Sequence, residues 1–199
     1  MALNPNVQNE LYKELSEAVR ETGGQLTAKT FEKKMTPLLH NVMRESYRLT
    51  PPFGSVAFKR ASKSDVEIHG EHFPKDSLFV LGNRYNDPNF IADAKEFKPE
   101  RWLPKAVEGR KGTPLELMDH AIYRDSFGQG ARRCPGSRVA TNEVLSMIAQ
   151  LVLDYEIVSP VQTLDEISYD MTALVTPIIP PLEFLPRRHR RAENESSSV

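Results

Sequence analysis

Phe127-Gly128-Gln129-Gly130-Ala131-Arg132-Arg133-Cys134-Pro135-Gly136 sets the only cysteine of the chain between a glycine-rich loop and the start of a helix. A thiolate is a soft, polarizable donor suited to iron, and cationic neighbours, close backbone N–H groups and the positive end of a helix stabilise it. The stretch offers all three. Arg132 and Arg133 bring charge, Gly128, Gly130 and Gly136 allow close backbone approach, and Pro135 fits a first helical position with Cys134 as the cap. Cys134 is therefore the candidate metal ligand.

Downstream, helical spacing runs to about Asp154. Ala140, Val144, Met147, Ile148, Leu151 and Tyr155 lie on one side, and Val139, Leu145, Ala149 and Val152 widen it. Only Glu143, Ser146, Gln150 and Asp154 form a polar stripe, which predicts a helix sunk in a core. Strand-like pieces follow at 156–158, 172–175 and 182–185, separated by Pro160, Pro177, Pro180 and Pro181. The basic cluster Arg187-Arg188-His189-Arg190-Arg191 and the polar end at 192–199 read as a solvated, disordered tail, which bounds the domain at 1–186.

Upstream of the loop, residues 103–126 are rich in Pro, Gly and charge and show weak periodicity. Before them stand Pro99-Glu100-Arg101-Trp102 and a helical turn or two at 90–97. Residues 55–81 alternate as strands, Val66 and Ile68 among them, and predict an antiparallel pair. No carboxylate or thiol nearby completes a ligand set with His69 and His72, which read as solvated. Two helices open the chain. In the first, Asn4-Pro5 is the start, Val7, Leu11, Leu15 and Ala18 are the buried stripe, and Gly23-Gly24 is the stop. The second runs from Thr36-Pro37 to Leu49, where Thr50-Pro51-Pro52 ends it. The fold class is mainly α with small antiparallel β-sheets, α+β.

On that second helix Leu38, Val42 and Leu49 share a face, and at about 100° per residue Glu45 falls on the same side. A carboxylate buried there needs a partner, and Arg48 at i+3 is in reach with its planar fork of donors. His40 and Arg44, at i and i+4 on the opposite side, read as a solvated pair.

A net charge of −1 removes the basic stripe expected of a nucleic-acid partner. One cysteine excludes an internal disulfide, so the chain fits an intracellular, reducing compartment. No run nears the roughly 20 apolar residues of a transmembrane segment.

Phe127-x-x-Gly130-x-Arg132-x-Cys134-x-Gly136 resembles the haem-binding loop of the cytochrome P450 mono-oxygenases. Glu45-x-x-Arg48 and Pro99-Glu100-Arg101-Trp102 resemble the family's two other motifs, in order and at a plausible spacing. Leu3-Asn4-Pro5-Asn6-Val7-Gln8 resembles the helix that follows the family's oxygen-activating helix, so the resemblance covers nearly the whole chain. It implies the C-terminal part of that fold without its upstream helices, and haem b as cofactor, with Cys134 as the axial thiolate and the only ligand-type catalytic group. It further implies Arg132, and Arg60 on the strand after the Glu-x-x-Arg helix, as propionate partners, with Phe127 packed beside the thiolate and Gly130 and Gly136 shaping the loop. Glu45, Arg48 and Arg101 would brace the loop from behind. Arg44 and His40 stand where the family's mitochondrial class docks a ferredoxin, and residues 168–174 resemble a substrate-contacting turn.

The activity implied is insertion of one oxygen atom of O2 into a small apolar substrate, with electrons from a ferredoxin-type or flavoprotein donor. The intact protein would be associated with a mitochondrial membrane. Intact members are more than twice this length, so the fragment alone is expected to be inactive. The alternative is a truncated, non-catalytic haem-binding or donor-binding module. A cysteine-nucleophile enzyme would need a positioned base, and His120 is the nearest histidine in sequence. The apolar faces of the helices at 37–49 and 137–154 are expected to be partly exposed.

Overall fold

The computed structural model describes residues 1–50, 56–60, 64–82, 88–89, 91–120, 126–163, 166–170 and 176–187. Among the described residues four helices, α1 (Pro5–Glu21), α2 (Pro37–Leu49), α3 (Pro104–Gly109) and α4 (Ser137–Asp154), combine with short antiparallel strand pairs. The pairs are β1 (Val56–Arg60) with β4 (Leu78–Gly82), β2 (Val66–Ile68) with β3 (Glu71–Phe73), β5 (Tyr155–Val158) with β8 (Glu183–Pro186), and β6 (Tyr169–Asp170) with β7 (Thr176–Pro177). This is the α+β class expected. His69 and Gly70 turn the β2–β3 hairpin with φ of 52° and 80°, the left-handed pair a two-residue turn requires. The strand expected at 172–175 lies wholly outside the described residues, as do the tail residues 188–199.

Helix α1 starts on Pro5, where a missing N–H is harmless. Its buried stripe is Gln8, Leu11, Leu15 and Ala18, so Gln8 takes the place expected for Val7, which is half-buried. The Gln8 amide fills that place without loss. It donates to the Ile157 carbonyl at 3.0 Å and accepts the Ile157 N–H at 2.6 Å, pairing with β5 as a strand would. Gly23 and Gly24, both at positive φ, end the helix, and the Gly24 N–H returns to the Val19 carbonyl at 2.9 Å.

Helix α2 begins after Thr36, whose hydroxyl donates to the Thr30 carbonyl at 2.8 Å and makes no cap hydrogen bond. The cap comes from α1. Glu14 accepts the N–H groups of Leu38 at 2.8 Å and Leu39 at 3.0 Å, satisfying two of the donors that a helix start leaves open. Burial raises the Glu14 carboxyl above its ordinary value, and the two N–H groups offset part of that rise.

The buried residues of α2 are Leu39, Asn41, Val42, Glu45 and Arg48. This corrects the expected Leu38 and Leu49, which are half-buried. Neighbouring positions differ by about 100°, so hydrophobicity alone could not separate Leu38 from Leu39. Leu39 wins because it meets Leu11 and Leu15 of α1 and Leu145, Ala149, Val152 and Leu153 of α4 in one core. Each leucine buried there contributes about 1.5–3 kcal/mol relative to an exposed one.

Helix α4 departs from expectation at its start. It starts at Ser137 with Gly136 as the cap, rather than at Pro135 with Cys134 as the cap. The Cys134 carbonyl meets only the Ser137 N–H in a turn contact, and the Gly136 carbonyl accepts the N–H of Ala140. The apolar face of the helix is partly exposed, as expected. Val139 and Met147 are 61% and 59% exposed, because α1 and α2 cover only the Leu145–Val152 side. Between Trp102 and residue 120 the weakly periodic stretch carries α3 and a 3-10 helical turn, Pro114–Asp119. Among the described residues no helix is long and apolar enough to cross a membrane.

Candidate functional site

Glu45 is fully buried and accepts five hydrogen bonds. Arg48 supplies two from the same helix, Nε at 3.0 Å and one Nη at 2.8 Å, the bidentate fork that an i, i+3 pair allows. The other three come from the 3-10 helical turn Pro99–Trp102 and its lead-in: the Lys98 N–H at 3.0 Å, Arg101 Nε at 3.3 Å and the Trp102 indole N–H at 2.9 Å. A carboxylate taken from water needs this degree of satisfaction.

The two arginines do more than neutralise it. Arg48 donates to the Ala94 and Glu96 carbonyls at 2.5 and 2.9 Å, and Arg101 donates to those of Ala92 and Asp93 at 2.7 and 2.6 Å. Glu45, Arg48 and Arg101 are thus brought together, and they hold a segment with no regular ladder of its own.

A second ion cluster abuts the first. Asp119 accepts from Arg110 at 2.6 and 2.9 Å and from Arg44 at 3.0 Å. Burial pushes the Asp119 carboxyl upward, but the Arg110 and Arg44 guanidiniums outweigh that and hold it below its ordinary value. The Arg44 guanidinium also lies 3.7 Å from the Trp102 ring centroid. Arg44 is therefore not the solvated surface residue expected, since its side chain is only 20% exposed. His40 is engaged too, through Nε2 and the Phe31 carbonyl at 2.9 Å.

The cysteine loop has the opposite character. Residues 128–131 and 133–136 have exposed or half-open side chains where described, and Cys134 is an exposed free thiol. The loop is shaped by backbone rather than by packing. Gly128 and Gly130 turn it at φ of 81° and 73°, and a Cβ on either would meet nothing within 4 Å. The Cys134 N–H donates to the Phe127 carbonyl at 3.0 Å, and Arg133 donates to the buried Ser137 hydroxyl at 2.8 Å. Phe127 itself meets the Tyr47 ring of α2 edge to face, with centroids 6.1 Å apart. Gly136 sits beside the thiol, its Cβ position 3.9 Å from Cys134 Sγ. The Arg132 backbone belongs to the 3-10 helical turn Gly130–Arg132, and the Arg60 backbone pairs with Leu78 on β1; the side chains of both lie outside the described residues.

The donor chemistry narrows what could bind. Among the described residues no three His, Cys, Asp or Glu side chains converge on one point, so the loop presents one soft ligand on an open face. A metal that already carries in-plane ligands, as haem iron does, fits one axial thiolate over a backbone-shaped loop. Three contributors had not been anticipated from spacing: the Trp102 indole N–H, the Arg110–Asp119 pair and Tyr47. An indole or charged pair in a weakly periodic stretch has no period to betray its partner, and only the stacking-prone Trp-to-Arg composition hinted at it.

The family model described as Cytochrome P450 matches residues 1–184. The mitochondrial sterol 26-hydroxylase of Rattus norvegicus is 31% identical over 160 residues, which cover 79% of this chain and 28% of that protein. Cytochrome P450 705A5 of Arabidopsis thaliana is 36% identical over 157 residues, 77% of this chain and 29% of that protein. Cytochrome P450 10 of Lymnaea stagnalis is 27% identical over 191 residues, 94% of this chain and 33% of that protein. The chain therefore spans 28–33% of the length of these relatives. With the family model running through both ion clusters and the cysteine loop, the chain belongs to the cytochrome P450 family.

Proposed function

We propose that the intact protein is a haem-thiolate mono-oxygenase and that this chain supplies the proximal part of its site, with Cys134 as the axial ligand. The observation that carries the reading is an exposed thiol on a glycine-shaped loop whose Phe127 meets, through Tyr47, the helix that bears a closed, fully hydrogen-bonded cluster. When bound, the haem would supply oxygen activation, taking electrons from a donor and placing one oxygen atom of O2 in an apolar substrate. The protein's own part is positional. The loop carries the thiolate, Phe127 shields it from water, and the Arg132 and Arg60 side chains would bind propionates through charge-assisted hydrogen bonds. The Glu45 cluster fixes the segment on which that geometry rests.

The mitochondrial names among the relatives support a ferredoxin-type donor over a flavoprotein and association of the intact protein with a mitochondrial membrane. Docking at His40 and Arg44 would then use the field of Arg44 rather than a direct contact, since its guanidinium is already engaged by Asp119 and Trp102. Residues 168–174 would contribute to the substrate pocket.

A haem titration followed by the reduced, carbon-monoxide-bound spectrum tests the reading. A thiolate-type band is expected in the parent chain and not in Cys134→Ala; the same spectrum in both would refute it. Adding a ferredoxin system separates mono-oxygenase from non-catalytic haem-binding module, and the 199-residue chain alone is expected to bind without turning over.

A further inference from the structure

Tyr47 lies on α2 between Glu45 and Arg48, yet takes no part in the ion cluster that its neighbours build. Its ring turns to the cysteine loop and meets Phe127 edge to face, at 6.1 Å between centroids and 84° between planes, within the range that such aromatic pairs favour. The Phe127 carbonyl in turn accepts the Cys134 N–H at 3.0 Å. One side-chain contact therefore stands between the braced helix and the backbone bond that sets the cysteine. Beyond that bond Cys134 has one turn contact, its carbonyl with the Ser137 N–H at 3.4 Å, while its own side chain and the described side chains on either side of it are exposed.

From this geometry we infer that Tyr47 is a positioning residue for Cys134, acting through Phe127 and carrying the rigidity of α2 to the thiol-bearing loop. The inference rests on the reading of Cys134 as the axial ligand. What acts is the ring, because its edge makes the contact; the hydroxyl is not required. Phenylalanine should then substitute for tyrosine and alanine should not. Burial keeps the Tyr47 hydroxyl protonated beyond its usual range, so the ring stays neutral across the working pH.

Amide hydrogen exchange of the full chain at Cys134 reads the bond to Phe127 directly, and amides of α1 serve as the control for global unfolding. In Tyr47→Ala the Cys134 amide is expected to exchange about two- to twelvefold faster, with α1 unchanged. Tyr47→Phe is expected to restore the parent rate. In a Phe127→Ala background Tyr47→Ala is expected to add nothing, since the ring it would lose contact with is gone. An unchanged Cys134 amide, equal acceleration in α1, or full additivity of the two substitutions would overturn the inference. A second arm uses the haem-loaded chain, where Tyr47→Ala should shift the carbon-monoxide band as Phe127→Ala does and Tyr47→Phe should not. If no form of the chain binds haem, the axial-ligand reading fails, and the exchange arm still decides whether Tyr47 sets the Cys134 backbone.

Discussion

Glu45 and Cys134 are tied through α2 and the Tyr47–Phe127 contact, but their surroundings are opposite in kind. Glu45 is fully buried and takes five hydrogen bonds from two sequence segments, whereas Cys134 is exposed and is held by two backbone bonds in a loop that glycines shape. The difference separates two tasks. The first region stores stability, because every group in it has a partner whose loss would leave a buried charge. The second keeps a reactive atom on an open face, and a bound group would provide the packing that the loop lacks.

The sharpest way to break this comparison is Glu45→Ala. Arg48 and Arg101 would lose their common anion while remaining buried or half-buried, and unfolding by urea should show a loss of about 3–5 kcal/mol. An unchanged midpoint would mean that the cluster is not where stability resides. Trp102→Phe keeps the ring under Arg44 but removes the indole N–H from Glu45, so the same measurement should show about 1.5–3 kcal/mol, the range for a hydrogen bond to a charged group.

The two carboxylates that flank α2 sharpen the comparison by pH. Asp119 titrates lower in the folded state, so its contribution is complete above the ordinary value of 3.8 and is lost as pH falls through the depressed one. Glu14 titrates higher, so its contribution is complete below 4.5 and is lost as pH rises through the raised value. Urea midpoints across pH should therefore lose part of their acid-side slope in Asp119→Asn, the rest belonging to Asp93 and Glu166, and should lose slope above 4.5 in Glu14→Gln. The smallest expected effect is at the other region. Cys134→Ala should change stability by no more than about 0.5 kcal/mol, as an exposed side chain without packing would, while removing the proposed ligand.

Much of this arrangement is legible before any coordinates. Helical spacing marks α1, α2 and α4, and Glu45 declares itself because a charge on an apolar stripe must find a partner, with Arg48 one turn away. What periodicity cannot convey is pairing between remote segments. Glu14 caps α2 from 24 and 25 residues away, and Gln8 meets Ile157 across 149 residues. Such bonds join a side chain to a backbone group and leave no repeating mark in either segment. The start of α4 differs for a related reason: Pro135 suits a first helical turn, but the Cys134 carbonyl meets the Ser137 N–H at i+3 in a turn, and i+4 bonding begins two residues later, from the Ala140 N–H to the Gly136 carbonyl.

The Gln8 pairing also orders events during synthesis. Helix α1 leaves the ribosome well before β5, and its buried amide has no partner until Ile157 has emerged. Its leucines likewise wait for Leu145, Ala149 and Val152. Helix α2 covers part of this stripe as soon as it follows. The rest of α1 stays unanchored until α4 and β5 are made, so the nascent chain carries an incompletely covered apolar stripe over that interval. Contacts of such long sequence separation slow folding and extend the period of exposure to aggregation. A nascent-chain length series should show α1 becoming protease-resistant only after the β5 segment clears the exit tunnel.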